Sequence, residues 1–98
     1  MHAYLCFIFK RMSMNKQLIA ALKEHGWTLG EMNTLKCGDA NLSIDGSSWL
    51  ILGHKDAKKG RIFDIHNPDD YEAGWTANLI LKLVKDFELI ESMRAKIE

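Results

Sequence analysis

The stretch Leu42 to His66, LSIDGSSWLILGHKDAKKGRIFDIH, decides the fold. Leu42 and Ile44 alternate with polar residues and lead into Asp45-Gly46, a tight-turn dipeptide because both residues tolerate positive φ. Ser48 to His54, SWLILGH, reads as the returning strand. Lys55 to Gly60, KDAKKG, turns the chain again, and Arg61 to His66, RIFDIH, returns with period-2 alternation. Three strands joined by short turns make an antiparallel sheet. Pairing across either a two-residue or a four-residue loop would put Trp49 and Ile51 on the face of Leu42 and Ile44. Leu50 and Leu52 would then point the other way, and the SWLILGH strand would be buried on both sides.

Working outward, Leu18, Ala21, Leu22 and His25 recur at helical spacing, with Lys16, Gln17, Lys23 and Glu24 mostly opposite. Ser13 or Asn15 is a suitable cap and Gly26 a suitable left-handed stop, so a helix is expected over about 14–25. Between Trp27 and Ala40 the pattern predicts a short strand around Thr34–Cys37, ended by Gly38-Asp39. The segment Leu18 to Met32, LIAALKEHGWTLGEM, resembles the opening of Xre-type helix-turn-helix domains. Those domains want a small residue near 33 and an apolar one near 36, where this chain has Asn33 and Lys36. The sheet reading is therefore preferred.

Downstream, Tyr71, Trp75, Leu79, Leu83, Phe87 and Ile90 form a helical stripe, widened by Ile80 and Val84. A long helix over about 69–95 follows. Gly74 lies inside it at a cost of ~1 kcal/mol relative to alanine, so a short turn followed by a helix capped at Thr76 is the alternative. Asn67 as cap, Pro68 at the first helical position and acids at 69, 70 and 72 would suit the start of the continuous helix. Residues 3–9, AYLCFIF, read as a buried strand. The fold class is thus α+β. A small antiparallel sheet of three to five strands is packed by two helices, in the order β-α-β-β-β-β-α, or α-β-β-β-α without the first strand.

The 98 residues make one domain, 1–98. Met12 and Met14 offer later starts that would make residues 1–11 an upstream extension. With 47 % hydrophobic and 27 % charged residues the composition is that of an ordinary globular protein. Thirteen basic and thirteen acidic side chains cancel, which argues against a strongly basic nucleic-acid binder. The apolar run at 3–9 is far short of the ~20 residues that span a bilayer. Lys10 and Arg11 follow that run rather than precede it, the reverse of an export signal. Cys6 and Cys37 lack C-x-x-C spacing; a single bridge is the alternative to the preferred reading of two reduced, buried thiols, which with the missing signal predicts a cytoplasmic protein.

Asp64, His66, Asp69 and Asp70 first suggest a metal or acid–base site. A metal centre needs three or four converging ligands, and no such motif emerges. Helix-start chemistry accounts for Asp69 and Asp70, while Asp64 and His66 share the strand face away from Phe63 and Ile65. No nucleophile elbow, phosphate loop or dinucleotide fingerprint is present. No catalytic residue, metal ligand or cofactor is assigned, and the expectation is a non-enzymatic binding module acting through protein–protein contact. Two neighbouring patches are its candidate surfaces. One is a basic tip (Lys55, Lys58, Lys59, Arg61), and the other an acidic shoulder (Asp64, Asp69, Asp70, Glu72) with His66. Trp27 or Trp75 at an exposed edge would add an aromatic anchor, whereas Trp49 and Trp75 both also fit a core face. Nucleic acid gripped by the tip is the alternative partner, and a homodimer is compatible with the opposite patches.

Overall fold

Asn15 opens the first helix, α1 (Lys16–Lys23), by accepting the backbone N–H groups of Gln17 (2.7 Å) and Leu18 (3.2 Å) on its side-chain oxygen. The computed structural model describes residues 14–45 and 48–97; the expected strand at 3–9, Ser13 and Cys6 lie outside them. Leu18 and Leu22, one turn apart, are buried on the inner face of α1. At the far end Gly26 adopts φ 87°. The Trp27 N–H donates to the Leu22 carbonyl and the Gly26 N–H to that of Lys23. This paired closure is the Schellman arrangement, completed by contact between the residues flanking it. It explains why α1 stops at Lys23 and why Trp27 is buried, which removes Trp27 as an exposed anchor.

The sheet follows as a meander. Strand β1 (Thr28–Leu29) is separated by a 3₁₀ turn at Glu31–Asn33 from β2 (Leu35–Cys37), and Gly38, at φ 58°, turns the chain into β3 (Ala40–Asp45). Then come β4 (Trp49–His54) and β5 (Arg61–His66). Strand order is β1-β2-β3-β4-β5 with every neighbour antiparallel. No second helix follows α1 where a helix-turn-helix would place one; β1 and β2 occupy that stretch. The short strand expected at 34–37 is β2.

Registers decide which face is covered. Leu42 lies opposite Leu52, Ile44 opposite Leu50, and Asp45 opposite Trp49. Three residues therefore separate the last paired positions, not two or four. An odd loop reverses the side-chain parity of the return strand. Leu50 and Leu52 consequently share the face of Leu42 and Ile44, while Trp49 and Ile51 lie on the opposite face, contrary to the expectation from an even loop. Leu35, Ala40, Leu42, Leu50, Leu52 and Ile65 form one apolar face, joined by Met14 just before the first helix, by Leu18 and Leu22 from that helix and by Ala77 and Ile80 from the last. Both helices cover this single face. The architecture is α+β, with a five-stranded antiparallel sheet packed by a short helix and a long one.

The entry to the long helix differs from the expectation. Asn67 takes φ 51°, a left-handed conformation, and makes no side-chain cap bond. A capping residue has extended geometry, so Asn67 ends the strand instead. Pro68–Asp70 is one 3₁₀ turn, and the helix, α2, spans Ala73–Ile97 rather than 69–95. Asp69 and Asp70 thus precede it. Thr76 is not its cap: the Thr76 N–H and hydroxyl both donate to the Glu72 carbonyl, within the first turn. Thr76, Ala77 and Ile80, in the first two turns of α2, are its buried residues. Tyr71, Trp75 and Ile90, placed on the core stripe by spacing alone, are exposed.

Candidate interaction surfaces

Trp49 stands at one end of the sheet face that no described element covers. It pairs directly with His66 across β4 and β5, and the two rings pack with centroids 4.5 Å apart at 32°. Trp49 is 39 % exposed, and half-buried Ile51 lies beside it on the same strand. Asp64, opposite Ile51, shares this face as the strand alternation predicts. A β-bulge next to Gly53 inserts one extra residue into β5, so that Gly53 faces Arg61. The parity shift lets Arg61 and Asp64, three positions apart, form an ion pair at 3.0 Å on one face. Asp64 is thereby engaged by Arg61, and His66 by Trp49. Among the described residues no three His, Cys, Asp or Glu side chains converge on a metal-sized site.

The remaining expected site residues do not join this cluster. Lys55, Lys58 and Lys59 are exposed in the β4–β5 turn. Asp69 and Asp70 follow the opposite end of β5. Six residues of strand place the two groups roughly 17 Å apart. The basic tip and the acidic shoulder are therefore separate surfaces, not neighbouring ones. Arg61 belongs by its ion pair to the sheet face rather than to the tip. Trp75 packs against Tyr71 with ring centroids 5.1 Å apart and is 52 % exposed, so it faces solvent instead of the core. The two rings stand beside Asp69 and Asp70, at the acidic end.

His54, assigned no role by the sequence patterns, ties the hairpin to α2. Its ring is buried, and Nδ1 accepts the Asp56 backbone N–H at 3.0 Å. That bond leaves Nε2 to carry the proton of the neutral ring and donate to Glu88, 2.8 Å away. Phe87 packs on the same ring at 4.8 Å. Beyond Glu88 the helix outruns the sheet: 25 residues span about 37 Å, against roughly 17–20 Å for the longest strands. Leu89, Ile90, Met93 and Ile97 are exposed on this extension. Cys37 is a free, half-buried thiol. No helix among the described residues is long and apolar enough to cross a membrane.

Comparison with protein-family models, with curated proteins and with solved structures finds no match to this chain.

Proposed function

We propose that this chain is a small, non-enzymatic cytoplasmic binding module, of accessory, regulatory or inhibitor type, that engages a protein partner through the open face of its sheet. The observation that carries the reading is Trp49. A tryptophan held against His66 and flanked by Ile51, on a face that no described element covers, is the kind of group that concentrates binding energy. Antiparallel sheets with one solvated face ordinarily present polar residues there, so an indole and an isoleucine on it are the groups that favour a partner. Asn41, Ser43, Lys36 and the Arg61–Asp64 pair form a polar surround of both charge signs. An apolar centre with a mixed polar rim suits a protein partner. A polyanion is served less well, because Arg61 is already paired and the tip lysines stand away from the aromatic pair.

The test is capture from native lysate by the tagged protein and by its Trp49→Ala variant. Loss of a hot-spot tryptophan costs about 2 kcal/mol or more, roughly a 30-fold drop in affinity. A partner enriched by the parent and lost by the variant, with the variant's thermal melt retained, supports the reading. Equal capture by both proteins refutes it.

A further inference from the structure

A cleft of about 270 Å³ opens where the first helix, the end of β3, Ser48 and the turn before α2 meet. Its floor is apolar, from Leu18, Ile44 and Ala73, and one wall is Tyr71. Trp75 packs on Tyr71 at 5.1 Å and holds that wall in place, although both rings are about half exposed. Asp69 and Asp70 line the same cleft, neither paired with a described base, and no described Lys, Arg or His lines it. The volume falls just below the ~300–1,000 Å³ of pockets that enclose a drug-sized ligand. It suits a single long side chain. An apolar floor accommodates a methylene stem, an aromatic wall attracts a cation over its face, and two carboxylates neutralise the charged head.

We infer that this cleft receives an arginine side chain of a protein partner, held between Tyr71 and the Asp69 and Asp70 carboxylates. A guanidinium is favoured over a compact ammonium because its plane stacks on an aromatic ring while its fork bonds carboxylates. The inference rests on the reading of the chain as a protein-binding module and adds a second contact point, off the sheet face. Trp49 with His66 and Tyr71 with Trp75 lie toward the same end of the sheet, the cleft on its helix-covered side and Trp49 on the other.

The probe is an acetyl-glycyl-arginyl-glycine amide peptide, titrated into the full chain and followed by backbone amide shifts in NMR. The control is the same peptide with citrulline, which keeps the shape of arginine and removes its charge. Saturable shifts at Ser48, Asn67, Tyr71 and Thr76, with affinity of millimolar order for so small a probe, are expected. The citrulline peptide, and the Asp69→Asn/Asp70→Asn variant with the arginine peptide, should each bind roughly tenfold more weakly, as two surface charge contacts allow. Tyr71→Leu should weaken the arginine peptide several-fold while leaving the citrulline peptide nearly unchanged. Amide spectra of the free variants check that each is folded. Equal binding of the two peptides overturns the inference, as does a shift pattern spread over all exposed carboxylates without saturation at the cleft. Capture of a partner that depends on Trp49 but not on Asp69 and Asp70 also overturns it, while leaving the proposed function intact.

Discussion

Gly53→Ala tests the bulge that assembles the open face. A Cβ at position 53 would stand 2.6 Å from the Gly60 carbonyl oxygen, 2.8 Å from Asn41 Oδ1 and 3.2 Å from Asn41 Nδ2. Asn41 is a side chain and can rotate away. The Gly60 carbonyl is backbone, and it must retreat until the gap reaches the 3.4 Å of an ordinary contact. That carbonyl also accepts the His54 N–H at 3.3 Å, so retreat weakens a bond already near its limit. Overpacking of this kind costs ~1–3 kcal/mol, and the weakened bond adds about 1 kcal/mol. The φ of Gly53 is not left-handed, so alanine recovers ~0.4–1 kcal/mol by restricting the unfolded chain. The net is a loss of about 1–3.6 kcal/mol. A chain of this size has a total stability of about 5–15 kcal/mol, and 1 kcal/mol moves Tm by about 4–8 °C. The variant should melt at least ~4 °C lower by circular dichroism. Asn41→Ala/Gly53→Ala should not recover that loss, because the obstacle is backbone. A Gly53→Ala protein melting at or above the parent, or full recovery in the double variant, would refute the reasoning.

Two further outcomes follow from the long helix. Gly74 lies in its first turn with nothing within 4 Å of an added Cβ, so Gly74→Ala should raise stability by ~0.5–1 kcal/mol in urea titration with the m-value unchanged. His54→Ala and Glu88→Ala should differ although they remove the same 2.8 Å contact. The Glu88 side chain is half exposed and its loss should cost less than about 1 kcal/mol. The buried His54 leaves a cavity under Phe87 and an unpaired Asp56 N–H, at about 2–4 kcal/mol. Equal losses in the two variants would show that the His54–Glu88 hydrogen bond dominates the tie.

The elements with local chemistry were legible in the sequence. Asn15 caps the first helix with its own side chain, Gly26 and Gly38 take positive φ where the chain must turn, and Leu35–Cys37 forms the expected short strand. Each depends on a few adjacent residues, so the reading needs no tertiary information. The start of the long helix was not legible in the same way. Asn67-Pro68-Asp69-Asp70 satisfies the local rules of a helix start, yet Asn67 is left-handed and the helix proper waits until Ala73. That delay sets the helix phase: Thr76, Ala77 and Ile80 turn into the core, and Trp75 turns to solvent beside Tyr71. Small residues at 76 and 77 serve a close approach, which a hydrophobic stripe drawn through the largest side chains passes over.

The open face was hidden by a parity, not by a missing motif. Alternation along a strand says which residues share a face but not which face meets the helices; the loop joining the strand to its neighbour decides that. With three residues between Asp45 and Trp49, Leu50 and Leu52 go to the core and Trp49 to the surface. With an even loop the indole would be core and would carry no functional meaning. The bulge at Gly53 applies the same rule a second time, moving Arg61 onto the face of Asp64 and removing it from the basic tip. Asp64 and His66 were rightly placed together by their spacing, but their partners, Arg61 and Trp49, were set by these two one-residue offsets. Changing either offset tests the assignment directly. Deleting Ser48 would force β4 to choose between burying Trp49 and keeping Leu50 and Leu52 in the core. Two buried leucines, at ~2–5 kcal/mol each on truncation, outweigh one half-exposed indole. The shortened chain should therefore keep the register by straining its turn, and Trp49 fluorescence should stay red-shifted and accessible to quencher. A blue-shifted, quencher-protected Trp49, in a background where Trp27 and Trp75 are replaced by phenylalanine, would show that the leucines do not hold the register.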